Sequence, residues 1–437
     1  MPFLSPGTRI TVGAHGTLTV IAYIGGGGQG EVYRVTVNPG NRVMALKWYT
    51  NEFILRNKAF RRNLEDLCRR PSPSPAFLWP EAVTARVGHR YGYIMPLSDE
   101  LPDLGQYFCP DVFPDAYFRS WEARINAALA ICSALSKLHL AGMSYQDIND
   151  GSFLIHPVTG HVRICDNDNI VPHGVSTGMQ GKVRYSAAEV IAGRAPDQAS
   201  DCMSLAIVLY RIFAVDHPFE GRNTLGRNLA SMSAEDEAHL FGSDAVFCHD
   251  SRDDSNRPDR RHQPNSLFFW PHFTDTLRAA FAEALSRDAI TLPKRRYTAS
   301  MWQRILRRER AALITCHGGG DSHDFLSADT LPPRCPYCGV ALHGELWLRF
   351  FSGGAYRLTD GKALYLQFDS EPAGRCRRIG GNRSTDVFVL SNISSDTWTV
   401  TSPGGGRSSV PPGGQCRLMP DDTIDFGRVR ARVSQSE

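Results

Sequence analysis

The side chains best placed for chemistry lie in residues 144–169, SYQDINDGSFLIHPVTGHVRICDNDN. Residues 153–156 and 161–165 are short apolar runs, and Pro157-Val158-Thr159-Gly160 between them supplies turn chemistry, so the spacing predicts a β-hairpin. Its nearly equal arms set Ser152 beside Asp166, and Asp147 and Asn149 lie on the loop feeding the first arm. Asp147, Asn149, Ser152, Asp166 and Asp168 then share one acidic, oxygen-rich mouth. Such a mouth suits Mg²⁺, which takes carboxylates, keeps waters and shares phosphate oxygens. Taken alone, the same residues also describe a polar hairpin end with solvated carboxylates.

A second group stands near the N-terminus. Residues 18–24 and 31–37 read as strands joined by Gly25-Gly26-Gly27-Gly28-Gln29-Gly30, and a third strand, 42–49, follows the Asn38-Pro39-Gly40-Asn41 turn. Alternation places Val43, Ala45 and Lys47 on one face and Met44, Leu46 and Trp48 on the other. Small apolar residues ending in a lysine make a slot for a base and a charge for phosphate. Glycines between the strands let backbone N–H groups approach phosphate without Cβ obstruction. In a dinucleotide-binding Rossmann unit the glycines would open a helix. Here strand follows strand, which excludes that reading.

The two groups occur in a telling order. Gly25, Gly27, Gly30 and Val32 fit G-x-G-x-x-G-x-V, and Val43-x-Ala45-x-Lys47 resembles a V-A-I-K strand. Asp147 and Asp166 stand where a catalytic-loop Asp and a metal-binding Asp belong, and Ala187-Ala188-Glu189 follows Gly181-Lys182-Val183-Arg184-Tyr185 where A-P-E belongs. From about residue 18 to about 310 the chain resembles a eukaryotic-type Ser/Thr protein kinase. The resemblance implies a bilobal α+β domain over residues 1–312, with an N-lobe to about 97, that binds ATP and Mg²⁺. It implies Lys47 on the α/β-phosphates, Asp147 as the base, and Asp166 with Ser152 on Mg²⁺. Val32, Ala45 and Met95 would wall the base pocket, and the backbone near Leu97 would bond the base edge. Residues 55–70 read as a helix whose Glu65, with Asp66 as competitor, is expected to pair with Lys47. Asp201, opening an almost wholly apolar helix, is expected to anchor the catalytic-loop backbone, and Arg296 to pair with Glu189.

The departures matter as much. Tyr145-Gln146-Asp147 replaces H-R-D, so switching by a phosphorylated activation loop is not expected. Asn149 replaces the catalytic-loop Lys, Ser152 replaces the Asn that holds a second metal, and Asp166-Asn167-Asp168 replaces D-F-G. Lys47, Asp147 and Asp166 survive. An active, atypical kinase is the expected function, and a nucleotide-binding pseudokinase scaffold is the alternative.

Cys335-Pro336-Tyr337-Cys338-Gly339 is a C-x-x-C knuckle. With Cys316 and His323 it offers a Cys₃His zinc set, with His317 the rival to His323, so residues 313–343 are expected to form a zinc ribbon. A redox C-x-x-C would need a βαβ context that is missing. From 344 to 437, short strands with Gly/Pro/Asn turns predict an all-β sandwich. Ile379-Gly380-Gly381-Asn382, Pro411-Pro412-Gly413-Gly414 and residues 421–427 loosely resemble a forkhead-associated (FHA) domain, although residues 391–395 lack its S-R-x-H loop. The order kinase, zinc ribbon, FHA-like sandwich is similar to the kinases of a bacterial phosphorylation triad associated with tellurite resistance. That resemblance implies a von Willebrand A-type protein as substrate and a PP2C-type phosphatase as counterpart.

Composition agrees with this layout. The chain has 437 residues, enough for two or three domains. A net charge of +3 gives no argument for nucleic acid, and no apolar run is long enough to span a membrane. The N-terminus lacks the layout of a signal peptide. The 11 cysteines, scattered apart from one close pair, fit reduced thiols in a cytoplasm.

Overall fold

Residues 9–96 supply an antiparallel six-stranded sheet ordered β1-β2-β3-β4-β6-β5. Its strands are β1 (Arg9–Thr11), β2 (Thr17–Gly26), β3 (Gly30–Asn38), β4 (Arg42–Tyr49), β5 (Ala82–Val83) and β6 (Gly92–Pro96). The computed structural model describes every residue except 1, 99, 110, 180, 228–230, 319–322, 328–330, 343, 367–368, 380–386 and 436–437. The Gly380-Gly381-Asn382 turn therefore lies outside the described residues. Alternation along β4 sorts the core as expected: Met44, Leu46 and Trp48 pack on one side with Val20, Tyr33 and Ile94. Ala45 faces the other way with Tyr93 and Met95.

Where one helix is expected over 55–70, two form, α1 (Glu52–Arg56) and α2 (Lys58–Leu67). Asn57 causes the break. It sits extended at φ −78°, ψ 97° and its side chain accepts the Phe60 N–H, so it caps α2 instead of continuing α1. Phe77 makes an isolated parallel bridge to Ile164.

Below the sheet, α3 (Trp121–Leu140) starts on Ser120, whose side chain accepts the Ala123 N–H. It leads through β7 (Met143–Ser144) into the loop feeding the hairpin β8 (Phe153–Ile155) and β9 (Val162–Ile164); β10 (Val171–Pro172) pairs back onto β7. Phe153 faces Ile164, the register that brings Ser152 and Asp166 to one end. After α4 (Ala188–Ile191) comes α5 (Gln198–Ala214), capped by Asp197 and buried along nearly its whole length. Helices α6 (Ala234–Phe241), α7 (Pro264–Phe269), α8 (Asp275–Ala284), α9 (Arg287–Thr291) and α10 (Ala299–Ala312) complete this lobe. Its aromatic centre holds Tyr210, Phe213, Phe281 and Trp302, each fully buried, and burying a side chain of this size stabilises by roughly 1.5–3 kcal/mol. After Gly221, α6 and the buried pair Phe247 and Cys248 pack against this core.

Strands β11 (Leu313–Cys316) and β12 (His323–Leu326) form a short antiparallel pair. The C-terminal region is all β. One sheet orders β14-β13-β22-β21-β18-β19 and the other β15-β16-β17-β20, with β13 (Leu346–Phe350), β14 (Ala355–Leu358), β15 (Ala363–Leu364), β16 (Gly374–Ile379), β17 (Val387–Asn392), β18 (Trp398–Thr401), β19 (Arg407–Val410), β20 (Gln415–Leu418), β21 (Thr423–Asp425) and β22 (Arg430–Ser434).

Both C-terminal parts fasten to helix ends of the preceding lobe. Asp324 accepts the Trp121 and Glu122 N–H groups (2.8 and 2.7 Å), a carboxylate on the positive end of α3. Lys362 donates to the Ala311 carbonyl (2.6 Å) and Arg357 to that of Ala312 (3.2 Å), two buried basic side chains at the C-terminal end of α10. These contacts lie at the hairpin's turn end, where Asn126 donates to both Thr159 and Tyr365, and not at its acidic mouth.

Candidate active site

Lys47 rises from β4 into the cleft between the sheet and the helical lobe. Its ammonium donates to Asp166 (2.8 Å), Asp168 (2.9 Å) and the Gln29 side-chain oxygen (2.7 Å). The three partners come from the end of the hairpin and from the glycine loop, so one lysine joins β4 to both. Its side chain is 6% exposed. Burial alone would lower the Lys47 pKa, but the two carboxylates outweigh it and push the pKa up, so Lys47 stays charged.

The carboxylate buried with Lys47 is Asp168, not Glu65. Asp168 is fully buried and accepts from the Tyr49 hydroxyl (2.6 Å) and the Tyr93 hydroxyl (3.3 Å) as well as from Lys47. Glu65 pairs instead with Arg61 one helical turn back (2.9 Å) in a partly exposed i,i+4 bridge, and Asp66 pairs with Arg69. Helix α2 is tied to the cleft by amides instead: Asn63 donates to the Ile170 carbonyl and Asn57 to that of Thr177, both at 2.7 Å.

Asp147 sits on the loop before the hairpin. Asn149 donates to its carboxylate (2.9 Å), and Asn169 donates weakly to the other oxygen (3.4 Å). Burial, with Asp166 adding to it, raises the Asp147 pKa to about 6. Asp201 accepts the Tyr145 and Gln146 N–H groups (2.7 and 2.9 Å) and so fixes this loop from below, as expected. The Tyr145 hydroxyl donates to the Cys165 carbonyl, locking the loop to the residue before Asp166. Gln146 donates to the carbonyls of Val175 (2.7 Å) and Pro196 (3.1 Å), so an amide reaches the segment that an arginine would hold through phosphate. Asp166 itself lies in the left-handed region (φ 55°, ψ 36°), a strained conformation of the kind found at functional sites, and its side chain is 42% exposed.

The half-exposed Asp166 carboxylate beside Lys47 fits one hard cation shared with phosphate oxygens. Ser152 does not join it. Its hydroxyl is fully buried, donates to the Asp147 carbonyl (3.1 Å) and accepts the Asn149 N–H (3.4 Å), so it braces the loop. The expected Ser152 ligand is withdrawn on that ground.

The apolar slot is assembled as the alternation predicts. Ala45 and Met95 are register partners, and Val32, Leu97, Leu154 and Cys165 pack beside them. The glycines divide by role. Gly25 and Gly27 face open space, whereas a Cβ on Gly30 would lie 2.2 Å from the Trp48 carbonyl oxygen, so Gly30 is there for strand packing. Sequence reasoning missed Gln29 and the pairing of Asp168; the only available signal was that both neighbour motif residues.

The sulfurs of Cys316, Cys335 and Cys338 lie within 4.8 Å of one another, with Cys316 and Cys338 at 3.6 Å. Gly339, at φ 69°, closes the knuckle by donating to the Cys335 carbonyl. Three converging thiols fit a thiol-rich structural zinc site. The expected fourth ligand is not brought in. His323 is the register partner of Cys316, but its ring lies against Tyr337 (centroids 6.0 Å) and stands outside the sulfur group. The rival His317 packs against Gly361, where an added Cβ would meet its Nε2.

Residues 95–299 match the protein kinase domain family. The chain is 27% identical over 207 residues to the serine/threonine-protein kinase AtPK2/AtPK19 of Arabidopsis thaliana, covering 46% of this chain and 42% of that protein. It is 28% identical over 236 residues to the serine/threonine-protein kinase nrc-2 of Neurospora crassa (46% and 37%). Against the DNA damage-responsive serine/threonine-protein kinase RqkA of Deinococcus radiodurans it is 27% identical over 229 residues (50% and 32%). The chain spans less than half the length of these curated relatives.

Proposed function

We propose that this chain is an atypical Ser/Thr protein kinase that moves the γ-phosphoryl group of ATP to a protein hydroxyl. The observation that carries the reading is Lys47, buried and charged, bonded to Asp166 while Asp147 waits on the adjoining loop. Lys47 holds the α/β-phosphates, and the slot of Val32, Ala45, Met95 and Leu97 takes the base. Asp147 accepts the proton of the acceptor hydroxyl as its oxygen forms a bond to the γ-phosphorus and the bond to the β-phosphate oxygen breaks. General-base help of this kind is worth about 10²–10⁴-fold. Asp166 would hold Mg²⁺, which when bound neutralises charge on the phosphate oxygens. Asp168, with Tyr49 and Tyr93, keeps Lys47 aimed, the part expected of Glu65.

Residues 313–343 we read as a zinc ribbon held by Cys316, Cys335 and Cys338 with a fourth ligand outside His323 and His317. Residues 344–437 we read as an FHA-like sandwich that docks a partner. By resemblance the acceptor is a von Willebrand A-type protein, and a PP2C-type phosphatase reverses the transfer. The cysteines support a cytoplasmic setting; among the described residues no helix is long and apolar enough to cross a membrane.

A nucleotide-binding scaffold without turnover is the second reading, favoured by Asn149 and by the buried Ser152 hydroxyl. Labelled ATP separates the two. Transfer of label by the wild type that disappears in Asp147→Asn supports the kinase; equal, background labelling of both supports the scaffold.

A further inference from the structure

Phosphoryl transfer spreads negative charge over the equatorial oxygens of the moving group. The loop that carries the base, residues 145–152, contains no lysine or arginine, and Asn149 turns its amide inward to Asp147. A cation reaches the same place from the segment after the hairpin. Gly181 passes so close to Asp147 that a Cβ would stand 2.9 Å from its carboxylate oxygen. That approach lets the next residue, Lys182, donate its N–H to the same oxygen (3.4 Å). The Lys182 ammonium then bonds Asp150 (2.7 Å), beside Gly151 and at the lip of the mouth that holds Asp147 and Asn149.

This ammonium is held lightly. The Lys182 side chain is 57% exposed while that of Asp150 is 19% exposed, so water competes for the ammonium side of the pair. Asp150 has a second cation, Arg211 at 3.4 Å, so it is not stranded when Lys182 leaves. A phosphate, with several charged oxygens, is a stronger acceptor for an ammonium than one carboxylate that already has a second cation.

Building on the kinase reading, we infer that Lys182 is a catalytic residue: it exchanges Asp150 for the transferring phosphoryl group and supplies the charge missing at position 149. In the step, the acceptor oxygen bonds to the γ-phosphorus, the bond to the β-phosphate oxygen breaks with its electron pair leaving on ADP, and the hydroxyl proton goes to Asp147. Lys182 takes no proton; it offsets charge on the moving oxygens.

The test uses the full chain, Mg²⁺ and γ-labelled ATP, reading both autophosphorylation and phosphate release to water. Lys182→Ala is expected to lower kcat by about a hundredfold, the low end for loss of one placed donor. Its KM for ATP, its affinity for a non-hydrolysable ATP analogue and its thermal midpoint should stay at wild-type values. Adding Asn149→Lys to Lys182→Ala moves the charge back to the loop and is expected to recover at least tenfold of the loss, which repair of a merely structural defect would not do. An active wild type with Lys182→Ala equally fast, or a loss that Asn149→Lys leaves untouched, overturns the role of Lys182 alone. A wild type with no turnover in either assay, yet binding the analogue, overturns the kinase reading and the role of Lys182 with it.

Discussion

Replacing Asp168 by Asn keeps the shape of a fully buried side chain and removes its charge. In the native cleft that carboxylate accepts from Lys47 (2.9 Å), Tyr49 (2.6 Å) and Tyr93 (3.3 Å). Breaking a buried pair costs about 3–5 kcal/mol when the remaining charge is stranded. Lys47 would not be stranded, because Asp166 and Gln29 still accept from it at 2.8 and 2.7 Å. The loss is therefore nearer that of one charged hydrogen bond with a partner reoriented, about 2–3 kcal/mol. Glu65→Gln removes only a partly exposed i,i+4 bridge to Arg61, worth about 0.3–0.5 kcal/mol. At about 1.5 °C per kcal/mol for a domain of about 300 residues, the thermal midpoint should fall by about 3–5 °C for Asp168→Asn and by no more than about 1 °C for Glu65→Gln. Differential scanning calorimetry reads both, with ATP-analogue affinity measured alongside; Asp168→Asn should weaken it and Glu65→Gln should not. The reasoning is refuted if Glu65→Gln costs as much as Asp168→Asn in either measurement, since that would return the role to helix α2.

Two further outcomes follow from the geometry. With burial raising the Asp147 pKa to about 6, kcat/KM should rise with pH through about 6 and level off above about 7, because only the ionised carboxylate accepts a proton; an acid limb near pH 4 would show that the base is not buried. Chain purified without chelator should carry about one zinc ion by elemental analysis and lose it in Cys335→Ser, while His323→Ala keeps it; metal-free protein would leave the three sulfurs as packed thiols.

The convergence of Lys47, Asp147 and Asp166 on one cleft was legible because motif spacing fixes where strand, loop and hairpin meet. Lys47 lies on β4, whose bounds the alternation predicts, and the hairpin register brings Ser152 and Asp166 together through the Cys165 N–H on the Ser152 carbonyl. What failed were statements about where a side chain points within its element. Glu65 had Arg61 four residues before it, a local partner closer than any across the cleft. Ser152 stands three residues after Asn149, the spacing at which side chain and backbone bond each other, so the hydroxyl is consumed locally. The split of the helix at Asn57 followed from an amide that caps better than it continues a helix. His323 faces Cys316 in register, but its ring finds Tyr337, an outcome set by a residue 14 positions away that no local pattern encodes.

The most direct measurement is a crystal structure of the full chain with a non-hydrolysable ATP analogue and Mg²⁺. The account predicts the Lys47 ammonium on α/β-phosphate oxygens, Asp166 on the metal, Ser152 still within its loop, and Asp147 facing the γ-phosphate across room for a hydroxyl. A nucleotide bound elsewhere, or seated in the cleft with Lys47 and Asp166 both away from its phosphates, would contradict it.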